Sequence, residues 1–373
     1  MSDICNRQLR AVPALHSAFL HFYKKEDKMN YDPKKFRSRR RHRRQVAKNI
    51  ALMTLAVILF TGLIVFLFSL KTKKDEREKA AAATSAVAES ETVKETETMK
   101  SETKKGFVTA SVGNDELHRG NLILVRRGAP YVFPEKTRLV ELYSARTKFD
   151  DGSRAYQVSG TDLMLDERIA ERLDALTSDF YRESGKNGLL VKSAYRTEEE
   201  QREIYDYRVE RDGKEKADMY VSLPGESEHH TGMAFDMSVY KDGANTYIQD
   251  EPDYLPIYEN AHKYGFVLRY PEEKSDITGI SYESWHFRYV GIPHAYYMDS
   301  ENLCLEEYIE LLREEYNYDG THLIFDCDDG KRYEIYYVPV SNGDKTEIIL
   351  PVGYDYSVSG DNVGGFVVTV TLG

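Results

Sequence analysis

The stretch Ser227-Glu228-His229-His230-Thr231-Gly232-Met233-Ala234-Phe235-Asp236, answered downstream by Glu283-Ser284-Trp285-His286, constrains the fold more than any other feature of the chain. His229 and Asp236 lie seven residues apart, and Gly232 between them can turn the chain sharply, so an imidazole on a turn and a carboxylate on the following strand can converge on one point. Such a pair needs a third ligand. Tyr282–Val290 is an aromatic and β-branched run with the signature of a buried strand, which makes His286 the candidate and places Glu283 three residues before it. Two His, one Asp and a further acid are the donor set of a catalytic zinc site. His229, Asp236 and His286 hold the metal, a fourth position is left for water, and Glu283 is placed to take a proton from that water. The strands carrying Asp236 and His286 must then be neighbours, and antiparallel pairing achieves this.

The remainder of the folded part is read around that site. Ile169, Leu173, Leu176 and Phe180 fall on one face of a segment that stops at Gly185, which predicts a core-facing helix with a glycine cap. Leu189–Ala194 predicts a strand. Thr197, with Glu200 three residues on, predicts a capping box opening a helix to about Glu210. Arg196 then sits at a strand-to-helix junction, where side chains commonly face a cleft. Leu122–Val125 predicts a short strand, Ala234–Tyr240 a strand, Tyr254–Tyr264 a helix stopped by Gly265, and Leu303–Tyr316 a closing helix. Strands with segregated helices make an α+β domain over 107–316, its small antiparallel sheet carrying the zinc site.

From Thr321 the pattern changes. His322–Phe325 and Tyr333–Val338 flank the hairpin signal Asp328-Asp329-Gly330, and Gly365–Leu372 alternates in β-branched residues, so 317–373 is expected to be a small β module. It reads equally as a sheet added to the catalytic domain or as a separate wall- or partner-binding domain. Isolated histidines are more often hydrogen-bonded structural residues than ligands, and His230, His262, His294 and His322 are read that way. Side chains of adjacent residues diverge, which sets His230 apart from His229.

Charge is distributed unevenly. Residues 1–49 carry 14 Lys and Arg against 4 Asp and Glu, whereas residues 50–373 carry 37 against 58. The basic excess is densest at Lys34–Arg44 and is followed closely by Ile50–Leu70, 21 residues without a charge, which span about 30 Å as a helix. A single transmembrane helix over 50–70 follows, preceded by a cytoplasmic basic tail (1–49), because Lys and Arg beside a span stay inside. Residues 71–106 have no aromatic side chain and read as a solvated extracellular stalk. The acidic remainder excludes nucleic acid as the expected partner. A cleavable signal peptide ending near Ala88 is the rival reading, but its apolar core would run only about 7–15 residues. Three Cys make no disulfide framework: Cys5 is expected inside, and Cys304 and Cys327 outside, as a bridge or as two buried thiols.

The pattern Ser-x-His-x-x-Gly-x-Ala-x-Asp at 227–236, followed by Glu-x-Trp-His-Phe-Arg-Tyr-Val-Gly at 283–291, resembles the zinc D-alanyl-D-alanine carboxypeptidases of the VanY and LdcB kind. Average residue usage would produce the first motif by chance in roughly one chain of this length in five thousand. Ser193-Ala194-Tyr195-Arg196 is similar to the family's Ser-x-Tyr-Arg. His230 stands where the family usually has Gln, and Ser284 where it has Pro; neither is an expected ligand. The resemblance implies a D,D-carboxypeptidase with one Zn2+ per chain that removes the C-terminal D-alanine from peptidoglycan stem peptides, and the 50–70 span would anchor it in the membrane. In that scheme Glu283 is the general base, Arg196 steadies the oxyanion and contacts substrate, and Ser227 either contacts substrate or caps the turn. An L,D-carboxypeptidase or an endopeptidase on the same polymer would use the same residues. A zinc-free wall-binding or sensory ectodomain is the alternative outside enzymes.

The topology is open to direct test. In intact cells, external protease is expected to remove an epitope at the C-terminus and to spare one before Lys34; the opposite pattern would invert the orientation.

Overall fold

A computed structural model describes residues 106–373, within the compact unit Lys104–Gly373. The tail, the apolar run Ile50–Leu70 and nearly all of the stalk lie outside the described residues. No described helix is long and apolar enough to cross a membrane.

β1 (Phe107–Gly113) is followed by β2 (Leu139–Glu141), α1 (Leu142–Ala145), β3 (Gln157–Val158), β4 (Met164–Asp166) and the long helix α2 (Glu167–Ser184). Next come β5 (Leu189–Ser193), α3 (Glu198–Asp212), α4 (Lys214–Tyr220), a 3-10 turn at Glu228–Thr231, β6 (Ala234–Lys241) and β7 (Ala244–Thr246). α5 (Pro256–Asn260), β8 (Phe266–Tyr270), α6 (Ser275–Thr278), β9 (Glu283–Tyr289), α7 (Ile292–Glu301) and α8 (Leu305–Glu315) lead into β10 (Leu323–Asp326), β11 (Arg332–Pro339), β12 (Lys345–Pro351), β13 (Asp355–Gly360) and β14 (Gly365–Thr371). This is a mixed α+β fold with small sheets.

The central sheet runs β3-β5-β6-β9-β8, with β7 also on β6. It is antiparallel except for β3, which lies parallel to β5 and makes the sheet mixed rather than purely antiparallel as expected. Strand alternation sorts its two faces. Phe235, Met237, Val239 and Phe287 point into a core shared with Ile169, Leu173, Leu176 and Phe180 of α2, while Asp236 and His286 fall on the opposite phase. α2 ends at Gly185 (φ 67°) as its glycine predicts, and the Thr197–Glu200 capping box opens α3.

A second core joins Leu122, Leu124, Val290, α7 and α8 to Leu323, Ile335, Tyr337 and Val367. The other phase of the same C-terminal strands, Tyr336, Val338, Phe366, Val368 and Val370, packs on Ile348 and Leu350 of β12, which pairs with β1. The sheet β10-β11-β14-β13 is therefore covered on both faces.

Two expectations fail locally. Leu122–Val125 is fully buried but forms no strand. Its backbone is satisfied one group at a time: Leu124 N donates to Asp361 O, Leu122 N to Ser359 Oγ, and the Ile123 carbonyl accepts from Arg288. The helix expected over Tyr254–Tyr264 is broken into two 3-10 turns around α5, because Pro256 has no N–H to continue a preceding turn. Cys304 and Cys327 are both buried, free thiols.

His294 ties α7 to both neighbours, with Nδ1 2.8 Å from the Tyr308 hydroxyl and Nε2 3.1 Å from Thr369 Oγ1. Burial pushes this imidazole down to about 3. The unfolded ring takes up a proton below its ordinary value of about 6.5, which the native ring resists until about 3. The stability contributed by the neutral ring is thus complete above 6.5 and is lost as pH falls between those values. The melting temperature of the full chain is expected to fall more steeply from pH 7 to 4.5 than that of His294→Gln; equal slopes would remove His294 as a titrating contributor.

Candidate active site

The local chain path explains how the motif residues meet. Ser227 caps the 3-10 turn, its Oγ accepting from His229 N at 3.4 Å, and Gly232 ends the turn in the left-handed region at φ 69°. A Cβ at Gly232 would lie 3.1 Å from Leu139 Cδ2 and 3.2 Å from Asp166 N, so conformation and space both favour glycine here. The chain then enters β6 and reaches Asp236. In the β6–β9 ladder Asp236 sits directly opposite His286, and in the β5–β6 ladder Ser193 sits opposite Asp236.

One ligand atom from each of His229, Asp236 and His286 lies within 4.8 Å of the others. His229 Nε2 is 3.5 Å from Asp236 Oδ2, His286 Nδ1 is 3.2 Å from Asp236 Oδ1, and the two rings meet edge to face. His229 Nδ1 lies 2.6 Å from the Ala194 carbonyl, which can only accept, so the proton sits on Nδ1 and Nε2 presents its lone pair. Asp236 Oδ1 is buried without a hydrogen-bond partner among the described residues. An anionic oxygen in that state, facing two imidazole nitrogens, suits a divalent cation, and a donor set of two nitrogens and one oxygen suits zinc.

The surrounding charges agree. Burial, then Arg196, push His229 down to about 4 and keep it neutral. Burial acts the same way on His286, but the carboxylates of Asp236, Glu228 and Glu283 close to its ring outweigh it and hold that ring at about 9. Despite full burial, the two histidines hold the Asp236 carboxyl well below the usual carboxylate range. The pocket attracts positive charge. Glu283 Oε2 stands 3.6 Å from His286 Nδ1, beside a bulge in the β8–β9 ladder.

Arg196 leaves the end of β5 with its backbone N donating to His229 O at 3.2 Å. Its guanidinium is buried, donating to Gln201 Oε1 at 2.6 Å and to Ser193 Oγ at 2.8 Å, while Nε has no partner among the described residues. Gln201 is fixed in turn by Ser222 O at 2.7 Å. His229, Asp236, His286, Glu283 and Arg196 therefore gather in one place. The Ser227 acceptor function is taken up by the turn.

Sequence reasoning missed Gln201, Glu228, Arg269, Arg288 and Glu306. Two signals were available: Glu228 lies inside the motif, and Arg288 follows His286 at strand period. Glu228 is wholly buried, yet Arg269 and Arg288 outweigh that burial and hold its carboxyl far below the usual range.

Residues 162–292 match the family described as VanY: D-alanyl-D-alanine carboxypeptidase. A D-alanyl-D-alanine carboxypeptidase of Enterococcus faecium is 33% identical over 264 residues, 70% of this chain and 79% of the relative. The bifunctional D-Ala-D-Ala dipeptidase and carboxypeptidase VanXYC of Enterococcus gallinarum is 37% identical over 159 residues, 41% of this chain and 82% of the relative. Among solved structures, the D,D-dipeptidase VanXYg in complex with a D-Ala-D-Ala phosphinate analogue is similar at a TM-score of 0.62 and 32% identity, covering 71% of this chain and 99% of that one.

His230 carries a prediction of its own. Its Nδ1 donates to the Arg196 carbonyl at 2.7 Å and its Nε2 accepts from Gly225 N at 3.1 Å, one donor and one acceptor that a glutamine amide also offers. His230→Gln is expected to unfold within about 0.5 kcal/mol of the parent. His230→Ala leaves both backbone groups unmatched and should cost about 1–3 kcal/mol in denaturant titration. Equal losses in the two variants would refute this role.

Proposed function

We propose, from the premise that the chain belongs to the VanY family of D-alanyl-D-alanine carboxypeptidases and is a zinc metallopeptidase, that it is membrane-anchored and removes the C-terminal D-alanine from peptidoglycan stem peptides. Activity on D-Ala-D-Ala-terminated peptidoglycan precursors follows from the family. The observation that carries the reading is the convergence of His229, Asp236 and His286 on one point with Glu283 beside them. One zinc per chain would be held by His229, Asp236 and His286.

Zinc, when bound, supplies a Lewis acid that polarises the scissile carbonyl and acidifies water. The chain's own groups do the rest. Glu283 takes the proton of the attacking water and returns it to the departing amine. Arg196, preset by Gln201 and Ser193, offers a permanent cation to the oxyanion. Ser227 Oγ accepts from His229 N, which leaves its own proton to donate to substrate.

The anchor is the uncharged run Ile50–Leu70, with 1–49 cytoplasmic, 71–106 an extracellular stalk and the catalytic domain (107–316) at the cell wall; the basic flank supports this orientation. Residues 317–373 form the C-terminal β module.

Glu283→Gln separates chemistry from binding. It preserves the size of the side chain and removes its basicity, so zinc should remain near one per chain while hydrolysis falls about 10²- to 10⁴-fold. Mass spectrometry of muropeptides is the readout: the parent should convert pentapeptide stems to tetrapeptides and leave tetrapeptides intact. Parental turnover by zinc-loaded Glu283→Gln would show that another group is the base.

A further inference from the structure

Glu228 is a fully buried carboxylate that the proposed chemistry does not use. Its Oε1 accepts from Arg269 Nε at 2.8 Å and from Arg288 Nη1 at 2.7 Å. Arg269 forms a bidentate pair with Glu306 on α8, at 2.8 and 2.7 Å, and Arg288 donates to the Asn121, Ile123 and Tyr289 carbonyls. That oxygen is well satisfied and held from two sides. Oε2 is different: it has no hydrogen-bond partner among the described residues. It faces His286 Nε2 at 3.4 Å, which has none either. A buried polar atom left unmatched is destabilising. Here an obligate acceptor and a nitrogen able to donate face each other.

The arrangement sorts the two nitrogens of His286. Nδ1 looks toward Asp236 and Glu283, and Nε2 toward Glu228. A histidine that ligates through one nitrogen carries its proton on the other, and a carboxylate at that proton fixes the tautomer and ring plane and raises the basicity of the ligating atom. The geometry points to Glu228 as the positioning residue of His286. Its Oε2 accepts a hydrogen bond from Nε2–H so that the Nδ1 lone pair faces the metal, and Arg269, Arg288 and, through Arg269, Glu306 keep Glu228 in place. This inference rests on the ligand set proposed above.

The test is the zinc dissociation constant of the full chain, measured by chelator competition, beside the melting temperature of the metal-free protein. Glu228→Gln is nearly isosteric, but either orientation of its amide sets an N–H against Nε2 or against the two guanidiniums. Zinc affinity is expected to fall about 10- to 100-fold. A purely structural network would lower the melting temperature and leave the zinc constant unchanged, and that result overturns the role. Where Glu228→Gln does not fold, Glu228→Asp retains the charge for both arginines and withdraws the oxygen from His286. Weaker zinc binding then supports the role, and unchanged binding overturns it. Asp236→Ala is measured alongside: full zinc retention discards the ligand set itself, whereas zinc loss there with unaltered affinity in the Glu228 variant discards only the part played by Glu228.

Discussion

The pairing of β6 with β9, with Asp236 opposite His286, is the contact on which the site depends. Strand alternation leaves no freedom here. A slip of one residue would turn the Asp236 carboxylate toward Phe287 and the α2 core and bring Phe235 to the metal face. The same ladder system sets Ser193 opposite Asp236, and so fixes where β5 ends and where Arg196 emerges. Gly232 completes the arrangement by folding His229 back over the start of β6, in a conformation and a space that suit glycine. Two ladder registers and one glycine thus place four of the five side chains proposed to act in the mechanism, and the bulge beside Glu283 adjusts the fifth.

Concentrating charge in a dry place has a cost, because desolvating an ion takes several kcal/mol even after relaxation. The structure offsets this by pairing. Glu228, Arg269, Arg288 and Glu306 balance two negative against two positive charges, and all four side chains are at most 10% exposed. The pocket beside them holds Asp236 Oδ1, an anionic oxygen buried without a hydrogen-bond partner among the described residues, which suits a dication. Stability comes from elsewhere, from the three apolar cores, at roughly 1.5–3 kcal/mol for each large side chain fully buried. Stability and chemistry are therefore carried largely by different residues, although Ile123 of the first core accepts a hydrogen bond from Arg288 through its carbonyl.

What was legible in the sequence follows the range over which each cause acts. The cap at Thr197, the stop at Gly185, the hairpin at Gly330 and the turn at Gly232 are local, and the structure shows each where the residues place it. Asp236 and His286 are distant in sequence, yet chemistry tied them together, since a metal needs three donors. Nothing comparable announced Arg269–Glu228 or Arg269–Glu306, because buried arginines look like surface arginines in a sequence. The β1–β12 ladder, which joins Phe107–Gly113 to Lys345–Pro351, was equally hidden, as alternation identifies a strand without naming its partner. Leu122–Val125 misled because an apolar run signals burial, and here burial is satisfied by single hydrogen bonds to Asp361, Ser359 and Arg288 rather than by a ladder.

The most direct test of the central assignment is zinc-edge X-ray absorption on the purified full chain loaded with one equivalent of metal. Two imidazole nitrogens and light oxygen ligands at about 2.0–2.2 Å, with no sulfur, are expected from His229, His286 and Asp236. A sulfur shell at about 2.3 Å, or a coordination sphere unchanged in Asp236→Ala, would contradict it.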